Sequence, residues 1–247
     1  MLRTQMLTRS LFLEDSYRRD CEGAVNMLQR EDGSPSASLV LDQTVMQPDS
    51  RDGCDSGTIE GLHGSMTVKR VVKRGDDIVH FGPVTGTLPE ASTVKVRIDW
   101  ARRYLHMRRH GMFHLLYSCA RTVLQDDFVA LSRVAGDGAY TDWLGRRGTG
   151  PELLRRSVEM ALAAIAERRK IATETLPRAL ALVRCGSAFE KVLPKHADDL
   201  RLVTIEGFKS DPCIGLHVRA TDEIGPFEIE RVETRGQDLR LHADVLA

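Results

Sequence analysis

The 247-residue sequence is short of aromatic residues, at 5%, and has no excess of either charge: 35 Lys and Arg balance 35 Asp and Glu. The first shortage leaves little material for an aromatic base-stacking platform. The second means that any nucleic-acid surface is a local patch and not a property of the whole chain. Cysteines are few, odd in number and scattered (Cys21, Cys54, Cys119, Cys185, Cys213), with no CxxC pair. That argues against a secreted disulfide framework and for a reducing compartment, with the cytoplasm as the expected location. No apolar run reaches the roughly 18 residues needed to span a bilayer, so no membrane partner is expected. The first twenty residues carry basic groups around a short, broken apolar stretch before acidic residues follow, which does not read as a signal peptide. What is present is an ordinary globular composition, 42% apolar and 28% charged, at a length that suits two modest domains or one large one.

The first hundred residues are rich in strand signals. SLVLDQTV, SMTVKRVVKR, DDIVHFGPV and STVKVRID carry β-branched residues, often alternating with polar ones, and Gly, Asp, Ser and Pro clusters separate them. Short strands so punctuated predict a small barrel or sandwich. The character changes near Asp99. From Trp100 to about Gln125, Leu105, Met107, Phe113, Leu116 and Leu124 fall at helical spacing. Pro151 then opens a second helical segment, ELLRRSVEMALAAIAERRK, whose basic run Arg168–Lys170 is expected to serve the end of that helix. From Leu200 onward strand patterns return. The reading is α+β: an N-terminal β domain over residues 1–98 and an α+β domain over 99–247.

Two segments carry chemistry. WARRYLHMRRHGMFHLLYS holds His106, His110 and His114, each four apart. On a helix, residues i and i+4 share a face, so two imidazoles at this spacing can converge on one ion. The triple run leaves open which pair does so. Far along the chain, Cys213 and His217 lie in a Gly/Pro-bordered turn, where a thiolate and an imidazole can close on the same metal. Arg102, Arg103, Arg108 and Arg109 form a basic cluster on the helix, a residue type suited to phosphate.

These segments resemble the alanyl-tRNA editing family: the freestanding AlaX-type proteins and the editing domains of alanyl- and threonyl-tRNA synthetases. The family pattern MRxHTAxHLL reads here as Met107 to Leu116, and CGGTHVxxTGEIG reads as Cys213 to Gly225. Asp99-Trp100 followed by Arg103, the opening TRSLFLEDSY and the stretch LDQTV extend the likeness over nearly the whole chain, matching medium-length members with a β-barrel ahead of the editing domain. The resemblance implies a small N-terminal β-barrel followed by an α+β zinc-binding editing domain. It fixes the register on His110 and His114, which with Cys213 and His217 take the Zn2+ ligand positions. It also implies a trans-editing hydrolase that deacylates mischarged aminoacyl-tRNA, by family default seryl- or glycyl-tRNA(Ala). A tRNA(Thr) charged with serine or a threonine analogue is an alternative, as is a metal hydrolase of small aminoacyl esters or amides without tRNA. The partner implied is the acceptor end of aminoacyl-tRNA. Arg102, Arg103 and Arg108 are then candidates for RNA contact, and Arg109, Gly111, Leu216 and Thr221 for substrate contact. Asp99, Asp222 and Glu223 are the nearest carboxylates for a general base. The oligomeric state is open between monomer and homodimer.

The chain also departs from the family. Gly111 and Leu216 stand where the family has Thr, and Asp222 where it has Gly. The family's glycine-rich loop YPxGGGQPxD is replaced by Gln47 to Gly57, with most glycines lost. A glycine-rich loop allows close backbone approach to a ligand, so this loop is expected to meet substrate differently.

Overall fold

The computed structural model describes residues 7–30, 33–50, 53–134, 139–193 and 195–246. The chain forms two compact units, Met1–Leu105 and His106–Ala247. In the first, β1 (Arg9–Ser10) and the one-turn helix α1 (Leu11–Glu14) precede β2 (Asp20–Arg30), β3 (Ser36–Leu41) and β4 (Gln43–Thr44). β5 (Gly57–Gly61), β6 (Gly64–Val68), β7 (Arg70–Arg74), β8 (Asp77–Gly86) and β9 (Thr93–Ile98) follow. Six of these strands close into a barrel in the order β3-β2-β9-β5-β6-β8, with β8 returning to β3 and β7 added along β8. Closure removes the unpaired edges that an open sheet would present.

Alternation sets which side chains fill the barrel. On β9, Val94 and Val96 are buried while Thr93, Lys95 and Arg97 are exposed. Leu39, Leu41, Ile59, Met66, Val71 and Ile78 join them inside. Gly82 on β8 is required by contact: a Cβ there would stand 1.9 Å from the Thr67 carbonyl oxygen. Two polar features are sealed in this unit. His80 bonds Leu39 O through Nδ1 at 3.1 Å and the Thr44 hydroxyl through Nε2 at 2.9 Å. Arg103 is fully buried. Its Nε donates to Asp55 Oδ1 at 2.9 Å, Nη2 to Asp55 Oδ2 and to Val45 O, and Nη1 to Ser16 O. Asp55 also accepts the Gln47 N–H at 2.6 Å, so this ion pair closes the base of the Gln47–Gly57 loop. Arg51 and Asp52 of that loop lie outside the described residues.

The unit boundary falls inside the long helix α2 (Trp100–Leu124). Beyond it come β10 (Ala130–Arg133), β11 (Tyr140–Trp143), α3 (Pro151–Ala166), β12 (Ile171–Pro177), α4 (Arg178–Cys185), β13 (Asp199–Ile205), β14 (Asp211–Pro212), β15 (Phe227–Arg235) and β16 (Asp238–Val245). They make a four-stranded antiparallel sheet, β10-β11-β16-β15, and a three-stranded one, β12-β13-β14. In α2, Met107, Met112, Phe113, Leu115, Leu116, Tyr117, Cys119 and Ala120 are all buried, which makes its second half a core helix. The chain is thus α+β with a closed β-barrel, the architecture expected.

α3 ends at Ala166, and Arg168 takes a φ of +57° with its N–H donating to Ile165 O at 3.1 Å, so the first residue of the basic run closes the helix through its main chain and not through its side chain. Arg169 instead pairs with Glu167 and donates to Glu206 O, while Lys170 bridges to Ala220.

Candidate metal centre

Four side chains from two distant segments meet in the second unit. His110 and His114 stand one turn apart on α2, and Cys213 and His217 lie on the loop that follows β14; their ligand atoms all fall within 4.8 Å of one another. His110 Nε2 is 3.1 Å from His114 Nε2 and 3.3 Å from Cys213 Sγ. The His217 ring lies 4.5 Å from that of His110 and 5.0 Å from that of His114, centroid to centroid. Nitrogen and sulfur ligands at roughly 2.0–2.3 Å from a tetrahedral ion stand about 3.3–3.8 Å apart. The cluster therefore has close to the spacing that one ion requires, and the group could hold a metal. His106, a turn earlier on the helix, is not in this cluster.

Each ligand is positioned by its neighbours. His114 Nδ1 is 3.2 Å from Asp211 Oδ2, which leaves Nε2 directed at the cluster. Asp211 is itself buried, with its other oxygen 2.7 Å from Arg121 Nη1. Arg121 lies two turns beyond His114 on the same helix and also binds Asp127, which Lys209 joins. On the loop, the Gly215 N–H donates to Cys213 Sγ at 3.3 Å, and the Cys213 N–H donates to Arg201 O at 2.9 Å. Asp211, Arg121 and Arg201 went unnoticed in the sequence. The usable signals were the acid two residues before Cys213 and the arginine seven residues after His114, both weak without the fold.

The electrostatics follow from this packing. Burial alone would raise the Cys213 thiol, but the three imidazoles outweigh it and hold the thiol well below its ordinary range. Burial likewise opposes charge on His114, yet the Cys213 charge and the Asp211 hydrogen bond push it up to about 9. His217 is carried down to about 4, chiefly by burial. Arg201 is shifted down by burial, with the Cys213 charge opposing. The thiolate is the form of cysteine that ligation needs, whereas His114 has to give up its proton for Nε2 to ligate, so metal binding at this cluster releases a proton.

The remaining expected site residues are placed as follows. Gly111 packs on Ile224 and Val218, where a Cβ would meet Ile224 Cγ1 at 3.3 Å, and Leu216 is buried beside His217. Thr221 is fully buried, its hydroxyl donating to Ala164 O and accepting the Arg169 N–H. Arg109 is held by Asp244, with Nε to Oδ1 at 2.8 Å, and Arg108 donates to Ile224 O and Leu246 O. Asp222 pairs with Arg168, and Glu223 accepts the Arg219 N–H. In the first unit Asp99 accepts the Arg102 N–H at the start of α2, as a helix cap does. Arg102 Nε donates to Cys54 O. Arg103, expected at an RNA surface, is instead the buried partner of Asp55 and has no face toward solvent.

Residues 200–241 match the family described as the threonyl and alanyl tRNA synthetase second additional domain, a span that includes Cys213 and His217. Over 224 residues the chain is 35% identical to the alanine–tRNA ligase of Ignicoccus hospitalis, covering 90% of this chain and 24% of the ligase. The alanine–tRNA ligase of Pyrococcus abyssi is 32% identical over 230 residues, 92% of this chain and 24% of the ligase. That of Thermococcus kodakarensis is 30% identical over 230 residues. The chain thus spans about a quarter of the length of the curated relatives it matches.

Proposed function

Because the chain belongs to the alanyl-tRNA editing family, we propose that it is a hydrolase that removes wrongly attached amino acids from tRNA at a zinc site. The observation that carries this reading is the convergence of His110, His114, Cys213 and His217 within 4.8 Å, in the unit that holds the matched family segment. Three imidazoles and a thiol held ionised suit zinc in donor type and spacing. The chemistry zinc supplies when bound is Lewis-acid: polarising the ester carbonyl or lowering the pKa of a water.

The protein's own contribution is positional. Asp211 holds the His114 ring so that Nε2 faces the cluster, and the Gly215 N–H steadies the Cys213 sulfur. The flanking residues bear on the choice of amino acid. Gly111 and Leu216 carry no hydroxyl, and Ile224 and Val218 occupy the space beside Gly111. A wall without a hydrogen-bonding group encloses a seryl hydroxyl without reading it, and such a site discriminates weakly. Seryl- and glycyl-tRNA(Ala) are therefore both proposed substrates.

The test is deacylation over a matrix of amino acids and tRNAs by zinc-loaded protein, beside His110→Ala. Turnover of at least one mischarged tRNA, lost in His110→Ala, supports the reading. A matrix left intact by protein with one bound zinc contradicts it.

A further inference from the structure

Arg201 on β13 is half-buried beside the ligand loop. Its Nη1 donates to two carbonyls, Cys213 O at 2.7 Å and Gly215 O at 2.9 Å, and its own carbonyl accepts the Cys213 N–H. The guanidinium thus staples both sides of the turn whose tip, Ile214, is 76% exposed.

That staple uses one nitrogen of a group with five N–H donors. Nε and Nη2 form no hydrogen bond among the described residues and are not sealed from solvent. No carboxylate among the described residues lies within ion-pair distance of Arg201. Arg109, Arg121 and Arg240 of the same unit are neutralised, by Asp244, by Asp211 and Asp127, and by Asp142, whereas Arg108, like Arg201, bonds carbonyls but lies away from the ligand loop's turn, on Ile224 O and Leu246 O. A cation partly removed from water without a counter-acid is costly, and two carbonyls alone do not compensate it. The open Nε–Nη2 edge is the edge with which arginine grips phosphate or carboxylate bidentately.

We propose that Arg201 recognises the substrate's phosphate: Nη1 staples the Cys213–Gly215 turn, while Nε and Nη2 take the phosphodiester of the 3′-terminal nucleotide. The proposal rests on the deacylase reading above. It follows from the substrate's chemistry, because an aminoacyl ester has no free carboxylate and its only anions are phosphates. The one nearest the esterified sugar belongs to the same nucleotide, so it arrives beside the ligand loop together with the ester.

The experiment is calorimetric binding of two non-hydrolysable probes to the zinc-loaded full chain: 3′-serylamino-3′-deoxyadenosine and its 5′-phosphate. A charge-assisted bidentate contact predicts that the 5′-phosphate tightens wild-type binding by about tenfold or more. In R201Q the gain falls to about twofold or less. R201Q also weakens the staple, so R201K, which keeps the cation but not the fork, is measured beside it and is expected to show an intermediate gain. A wild-type-sized gain in either variant overturns the proposal. Wild-type protein that binds both probes equally overturns it while leaving the deacylase reading intact; wild-type protein that binds neither overturns both.

Discussion

At the scale of single residues, the site depends on groups that never touch the proposed ion. Asp211 fixes which nitrogen of His114 points inward, and Arg121 fixes Asp211. Asp211→Asn keeps the shape but offers an amide in place of a full charge, and its zinc affinity is expected to fall by about 10–100-fold. Competition with a chromophoric chelator measures this; an unchanged affinity would show that the carboxylate does not orient the ring. The histidine register was not legible from spacing, because His106, His110 and His114 repeat evenly. What separates them is where the Cys213–His217 loop lies, and no local pattern records that. The motif residues Arg103 and Thr221 were visible in the sequence, but not their interior partners. Their types suit RNA or substrate, whereas in the fold they satisfy Asp55 and Ala164 O in the interior.

At the scale of elements, the first unit holds the Arg103–Asp55 pair and the His80 ring, two buried polar groupings that can be tested separately. Arg103 and Asp55 are almost completely removed from solvent, with relative side-chain exposures of 1% and 2%. Asp55→Ala leaves the guanidinium buried without its counter-charge, and is expected to cost about 3–5 kcal/mol. Denaturant unfolding followed by a barrel probe checks this, and a loss under about 1 kcal/mol would contradict it.

His80 gives a pH dependence. Burial lowers its pKa from 6.5 to about 4, against the opposing effect of its Leu39 hydrogen bond. The fold therefore holds the neutral ring, and the stability from this group is fully present above pH 6.5. As pH falls from 6.5 to 4 the unfolded chain takes the proton first, and up to about 3 kcal/mol is lost. Below pH 4 this group adds no further loss. Nuclear magnetic resonance titration of the His80 ring is expected to give a midpoint near 4; a midpoint near 6.5 would refute the buried neutral ring.

The strands that alternate β-branched and polar residues were legible, as Val94 and Val96 show. The 11-residue β2, DCEGAVNMLQR, was not, because Gly23, Asn26 and Gln29 interrupt its pattern and its pairing to β3 and β9 supplies what its sequence lacks. β12, IATETLP, is mostly exposed and is held by seven pairs to β13, another case of tertiary pairing overriding a weak local signal.

At the scale of the whole molecule, the balanced charge means that any attraction to tRNA comes from local groups and is screened by salt. On the proposed reading, the lack of a hydroxyl at Gly111 and Leu216, next to the ligand histidines in the chain, predicts a broad hydrolase: rates on seryl- and glycyl-tRNA(Ala) should lie within about 100-fold of each other. Parallel initial-rate assays on the two substrates decide this, and a larger gap would mean that another residue reads the hydroxyl. No helix of the described residues is long and apolar enough to cross a membrane.

The most direct test of the central claim is a deacylation time course on seryl-tRNA(Ala), with zinc counted on the same protein sample. The account predicts one zinc per chain, release of serine well above the uncatalysed rate, and loss of both in His110→Ala. Protein that carries one zinc and leaves both seryl- and glycyl-tRNA(Ala) intact would contradict it.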